Sequence, residues 1–115
     1  MLKRAIAAAV IFCGALCIAS APASANDYPT DVVADYVIGC MVSNGESQDM
    51  LRRCSCSIDT IASILPYDQY EKAETVLMMQ QVNGAQGTIF KQIQSLKNMV
   101  DQLRLAQIEA DFRCF

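Results

Sequence analysis

The densest reactive chemistry in the chain lies in Arg52-Arg53-Cys54-Ser55-Cys56-Ser57-Ile58-Asp59. A Cys-x-Cys pair can close on itself as a strained, easily reduced disulfide, and neighbouring guanidinium groups hold a thiol in its thiolate form. In that reading Cys54 and Cys56 are a thiol-disulfide redox pair. A helix gives the same residues a different meaning. Two positions apart, the side chains point about 200° from each other. Each sulfur then faces a different part of the chain, and the pair becomes a double anchor.

A second chemistry is offered by carboxylates. Asp27, Asp31 and Asp35 recur every four residues, and Glu46 and Asp49 lie in the turn at the far end of the same helix. Oxygen ligands that converge in this way hold a hard cation such as calcium or a lanthanide. The tight spacing of an EF-hand loop is absent, and acidic residues at helical spacing also make an ordinary solvated face. Met41, Met50, Met78, Met79 and Met99 add soft thioethers that bind Cu(I) or, more simply, fill gaps in a small core. A Cys-x-Cys with single outlying cysteines is poor zinc spacing.

The chain has no His and no Trp. The commonest general base and the commonest transition-metal ligand are therefore missing. No serine elbow or glycine-rich phosphate loop is present, nor a carboxylate pair spaced for glycoside chemistry. The residues nominate no catalytic group and no cofactor, and the expectation is a non-enzymatic protein.

Lys3 and Arg4, the apolar run from Ala5 to Ile18 and the small-residue sequence Ala23-Ser24-Ala25 form the pattern of a cleaved signal peptide over residues 1–25. The run is shorter than a bilayer span, and no later stretch is apolar enough to provide one. Cys13 and Cys17 follow large residues, which argues against lipid attachment, and both leave with the signal. Without Lys3 and Arg4, seven basic residues face twelve acidic ones, a net charge of −5. Such a chain is poorly suited to nucleic acid or to anionic membrane surfaces. Residues 26–115 are expected to form a single helical domain, periplasmic or secreted. Its four cysteines in that oxidising setting imply two disulfides.

The elements that position these groups are all helical by period. Val33, Tyr36, Val37, Cys40 and Met41 mark a helix over 31–43, capped by Thr30 and stopped by Asn44-Gly45. Met50, Leu51, Cys54, Ile58, Ile61, Ala62 and Leu65 mark a second over 48–64, capped by Ser47 and ended by Pro66. Asp68 and Glu71 suggest a capping box for a third over 69–82, stopped by Asn83-Gly84. From Thr88 a repeat through Ile89, Ile93, Leu96, Val100, Leu103, Ala110 and Cys114 predicts one long final helix. Phe90, Met99, Leu105, Ile108 and Phe112 widen its apolar surface beyond one face. Asn26 to Pro29 reads as a frayed lead. The fold class is all-α, a small disulfide-stapled bundle of about four helices.

Helices one and two form a hairpin in which opposing residue numbers sum to roughly 91 or 92, so Cys40 lies about half a turn from Cys54. Cys40 to Cys54 is the preferred pairing, leaving Cys56 to Cys114. Closing those loops contributes about 3 and about 4 kcal/mol, respectively, in chain-entropy terms. Cys40 to Cys56 with Cys54 to Cys114 stays open as the alternative, because spacing alone does not fix connectivity.

The run Cys54-Ser55-Cys56-Ser57-Ile58-Asp59, the run Tyr67-Asp68-Gln69-Tyr70-Glu71 and the ending Arg113-Cys114-Phe115 resemble a group of small exported bacterial four-cysteine helical proteins of uncharacterised activity. The resemblance implies export and a cysteine framework only. No specific likeness to the acid-stress chaperones of the periplasm is evident. The functional expectation is a domain that binds an envelope or secreted partner protein. A hard-cation carrier using Asp27, Asp31, Asp35, Glu46 and Asp49 and a redox protein using Cys54 and Cys56 are the alternatives.

Overall fold

A computed structural model of the protein describes residues 26–82 and 84–115, apart from the side chains of residues 85, 86 and 90. The signal-peptide expectation for residues 1–25 and the role given to Asn83 lie outside the described residues. Among the described residues five helices follow one another: α1 (Thr30–Asn44), α2 (Gln48–Ile64), α3 (Tyr67–Gln80), α4 (Ala85–Gln92) and α5 (Gln94–Cys114). No strand occurs among the described residues, as the uniform helical period requires.

α2 and α5 form the centre. α2 packs against α1 on one side and most extensively against α5 on the other, and α3 packs on α5. Ile58 and Ile61 from α2 and Leu103, Ala106 and Ala110 from α5 belong to one buried cluster, while Cys54 and Ser57 of α2 are buried and bonded to Cys40 and Tyr36 of α1. Alanines at 106 and 110 keep α5 thin where α2 lies against it, since interaxial distance follows side-chain size at the contact. α1 and α3 touch the centre but do not interlock with each other.

Both disulfides join as preferred from the sequence: Cys40 to Cys54, and Cys56 to Cys114, with Cα separations of 5.9 and 5.8 Å. The two bonds leave α2 on different sides. One holds α1, and the other holds the last turn of α5.

Helix starts differ in an instructive way. Ser47 caps α2 as expected, its hydroxyl accepting from the Met50 amide at 3.0 Å. α1 and α3 instead begin immediately after Pro29 and Pro66, with no side-chain cap. The Pro29 carbonyl accepts from the Val33 amide at 3.1 Å, and the Pro66 carbonyl accepts from the Gln69 and Tyr70 amides at 3.0 and 3.1 Å. Thr30 and Asp68 are thus inside the first turn, and the capping box at Asp68 and Glu71 does not form. Asp68 still lies at the positive end of the helix and pairs with Lys72 at 3.5 Å.

The long final helix is broken. Ile93 adopts an extended conformation between α4 and α5, with no glycine or proline to announce it. A straight rod of 25 residues would run roughly 37 Å, past the roughly 25 Å of α2 that supports it. The bend at Ile93 turns α4 back onto α3. The short Gly-bounded connection that the sequence suggests over Gly84 to Gly87 is instead the cap, Gly84, and first turn of α4, and Thr88 is within a helix rather than at its start.

The expected frayed lead is docked. The Tyr28 hydroxyl donates to the Leu65 carbonyl at 2.7 Å, at the C-terminal end of α2. Its buried ring lies 5.3 Å from that of Tyr67 and 4.9 Å from that of Tyr70. The Asn26 side-chain amide donates to Asp59, and its carbonyl accepts from the Tyr28 amide at 3.0 Å. The methionines divide: Met41, Met50 and Met99 pack against the core, while Met78 and Met79 are exposed on α3.

Tyr28→Phe removes a buried hydroxyl and leaves the Leu65 carbonyl without its partner, which is expected to cost about 1–3 kcal/mol. Urea unfolding followed by circular dichroism checks this. A cost below 0.5 kcal/mol, on the order of an ordinary surface change, would mean that the lead is not anchored as described.

Candidate functional site

Because α1 and α3 stand apart, a cleft runs between them, floored by α2 and closed at one end by α5. Its larger part, about 720 Å³, is lined by Asp35, Tyr36 and Cys40 from α1, Ser57 from α2, Tyr70 and Glu74 from α3, and Asp111 and Phe115 at the end of the chain. A second part of about 490 Å³ continues along the same valley past Asp31, Tyr67, Glu71 and Met78. Asp35, Tyr70 and Glu74 belong to both.

The helical period of each element puts these groups on one face. Asp31 and Asp35 are four apart on α1, one turn above the other, and Tyr67, Tyr70, Glu71 and Glu74 repeat at three and four on α3. The Tyr36 hydroxyl shares a hydrogen bond of 2.8 Å with Ser57. That bond satisfies the one buried polar side chain of α2 and fixes the ring across the cleft floor. Burial raises the Tyr36 phenol above its ordinary range, the Ser57 hydrogen bond opposes the rise, and Asp111 and Glu74 add to it. Burial also raises Tyr70, helped by Glu74, and pushes Tyr28 behind it up to about 12. All three rings are therefore neutral phenols at physiological pH. They act as donors and flat apolar surfaces, not as bases.

The cleft carries five carboxylates, Asp31, Asp35, Glu71, Glu74 and Asp111, and no Lys or Arg among its lining. The three ion pairs among the described residues lie elsewhere: Arg53 with Asp49 at 2.7 Å, Lys72 with Asp68, and Arg113 with Glu109 at 2.6 Å. The negative charge of the cleft is thus uncompensated by the protein. Glu74 shows the strain electrostatically: burial, and then the neighbouring Asp35, hold its carboxyl above its ordinary 4.5.

The residues singled out in the sequence fall differently. Asp31 and Asp35 reach the cleft. Asp27 precedes α1, and Glu46 and Asp49 lie beyond its other end, with Glu46 roughly 16 Å along the axis from Asp35. Asp49 is occupied by Arg53. Among the described residues, no three His, Cys, Asp or Glu side chains stand where they could hold one metal ion. Cys54 and Cys56 are in separate disulfides, and Cys54 is fully buried. Glu74, Asp111, Tyr36 and Tyr70 were not singled out as site residues. The four-residue spacing of Asp35 from Asp31 was visible, but its convergence with α3 and α5 depends on tertiary packing.

Neither family models, curated proteins nor solved structures give a match to this chain.

A raised carboxyl binds its proton more tightly in the folded than in the unfolded chain. Folding is accordingly favoured below the ordinary pKa, and that advantage disappears as the pH rises through the folded-state value. Glu74→Gln is neutral throughout. It is expected to be more stable than the parent at pH 7, by less than about 1 kcal/mol because the open cleft screens the charge, and equal to it near pH 3. Denaturant midpoints at the two pH values decide; equal midpoints at pH 7 would show that Glu74 bears no uncompensated charge.

Proposed function

We propose that this chain is an exported, non-enzymatic helical domain that binds a partner protein in the periplasm, taking a segment with cationic side chains into the cleft between α1 and α3. The observation that carries the reading is the combination of five unpaired carboxylates with neutral tyrosine faces along one open valley. Carboxylates attract and orient Lys or Arg, and phenol rings offer both hydrogen bonds and cation–π contact. The carboxylates are strung along two helices rather than gathered at a point, which suits an extended chain better than a single ion. The leader pattern at Lys3, Arg4 and Ala23-Ser24-Ala25 and the two disulfides support an oxidising compartment. Among the described residues, no helix is long and apolar enough to cross a membrane.

A fluorescent oligolysine peptide is expected to bind, more weakly at high salt, whereas its oligoglutamate counterpart does not. The double change Asp35→Asn with Glu74→Gln is expected to weaken binding about tenfold. Binding should also weaken as the pH falls through the range in which Glu74 takes up its proton, above 4.5. Titration with calcium or a lanthanide, followed by melting temperature, tests the competing hard-cation reading. A large metal-dependent rise together with no peptide binding would overturn the proposal.

A further inference from the structure

We propose that the Cys56–Cys114 bond is a redox latch: a dithiol reductant opens it while Cys40–Cys54 stays closed, and its opening releases the last turn of α5 from the cleft. The two bridges sit in opposite surroundings. Cys40 is half-buried on the wall of the acidic cleft, and Cys54 is fully buried. A thiolate approaching Cys40 meets carboxylates, and the sulfur it expels, Cys54, must carry its charge in an apolar core, where a thiolate is a poor leaving group. Cys56 is exposed. Arg52 and Arg53 stand four and three residues before it on the same face of α2, so an anionic thiolate is attracted rather than repelled. The sulfur expelled there is that of Cys114, which is only half-buried. The Thr60 hydroxyl, which donates to the Cys56 carbonyl at 2.9 Å, stands 3.6 Å from the Cys114 sulfur and can turn its proton to the departing thiolate.

The exchange balances in two steps. One thiolate of the dithiol attacks the Cys56 sulfur, and the electron pair of the broken S–S bond leaves with Cys114, which takes a proton from water. The second thiol of the reductant gives up its proton and attacks its own sulfur in the mixed disulfide, expelling Cys56, which is protonated in turn. Two electrons pass to the protein, and the reductant becomes a disulfide. The bond that is lost held a turn with little else to hold it. Ala110 is the last buried residue of α5. Beyond it Asp111, Phe112, Arg113 and Phe115 are exposed, and the polar ties of this turn to α2 are the Thr60 contact and one hydrogen bond from Arg53 to the Phe115 carbonyl at 3.3 Å. Asp111 and Phe115 close one end of the cleft. When the turn frays, the cleft opens at that end and loses one of its five carboxylates. On the reading of the cleft given above, the latch thus sets how strongly a cationic segment is held.

Timed treatment of the oxidised protein with dithiothreitol, followed by iodoacetamide and peptide mass mapping, is expected to label Cys56 and Cys114 at least about ten times faster than Cys40 and Cys54. In the singly reduced protein the amides of residues 111–115 should exchange with deuterium at least about tenfold faster than before, while those of α2 keep their protection. Both bridges opening together, Cys40–Cys54 opening first, or unchanged exchange at 111–115 overturns the proposal. The same form should bind the oligolysine peptide about two- to fivefold more weakly than the oxidised protein, and the double change Cys56→Ser with Cys114→Ser should reproduce that loss. If oxidised and singly reduced protein bind the peptide equally, the latch has no hold on the cleft and the inference fails while the cleft reading stands. If the oxidised protein does not bind it at all, the cleft reading fails, and labelling and exchange still decide the latch.

Discussion

The structure depends on the line along which α2 lies against α5. Every other element is placed by reference to that seam: α1 by the Cys40–Cys54 bond and its contacts with α2, α3 by its packing on α5, α4 by its return onto α3. The seam itself is narrow, built from isoleucines on one side and a leucine and alanines on the other. A domain of this size buries little apolar surface for its length, so covalent closure of its chain weighs heavily in the balance. The two cysteines of α2 supply that closure in opposite directions. Their engagement in structure is also why the redox chemistry suggested by their spacing has no free thiol to begin from.

Much of this was legible from residue spacing. The bounds of α2, its Ser47 cap, the all-helical class and both disulfide partners follow from period, from the about 100° advance per residue and from loop closure, all of which are local or nearly so. What escaped was decided by tertiary packing. Tyr28 looks like part of a polar lead until Leu65 offers its carbonyl and Tyr67 and Tyr70 offer their rings. Ile93 looks like any other member of the three-four repeat. Its extended conformation accompanies the packing of α4 on α3, a tertiary contact that the repeat does not encode. Pro29 and Pro66 hold the cap positions expected of Thr30 and Asp68, which enter the first turn instead.

The cleft illustrates the same division. Its acidic character could be anticipated from Asp31 and Asp35, but not its floor or far wall, which need three helices to converge. The carboxylates at Glu46 and Asp49 belonged to the same sequence pattern and are separated from it by the length of a helix. Asp49 is satisfied by Arg53, whose guanidinium also donates to the Phe115 carbonyl at 3.3 Å. The charge of Asp49 is therefore neutralised within the fold, while charge in the cleft is left facing solvent.

The connectivity of the bridges also has a consequence for the order in which the fold is completed. Cys40, Cys54 and Cys56 lie close together in the sequence, and Cys114 follows Cys56 only after a separation of 58. Among these three thiols, Cys40 with Cys56 and Cys54 with Cys56 are both non-native pairings. The choice between neighbours two residues apart cannot rest on loop length, which is almost the same for both. It rests on whether α2 has already coiled, since only then does Cys54 turn toward α1 and Cys56 away from it. An oxidant acting on an uncoiled α2 could join Cys40 to Cys56, an error that thiol exchange would have to reverse, whereas a coiled α2 excludes that pairing by its geometry.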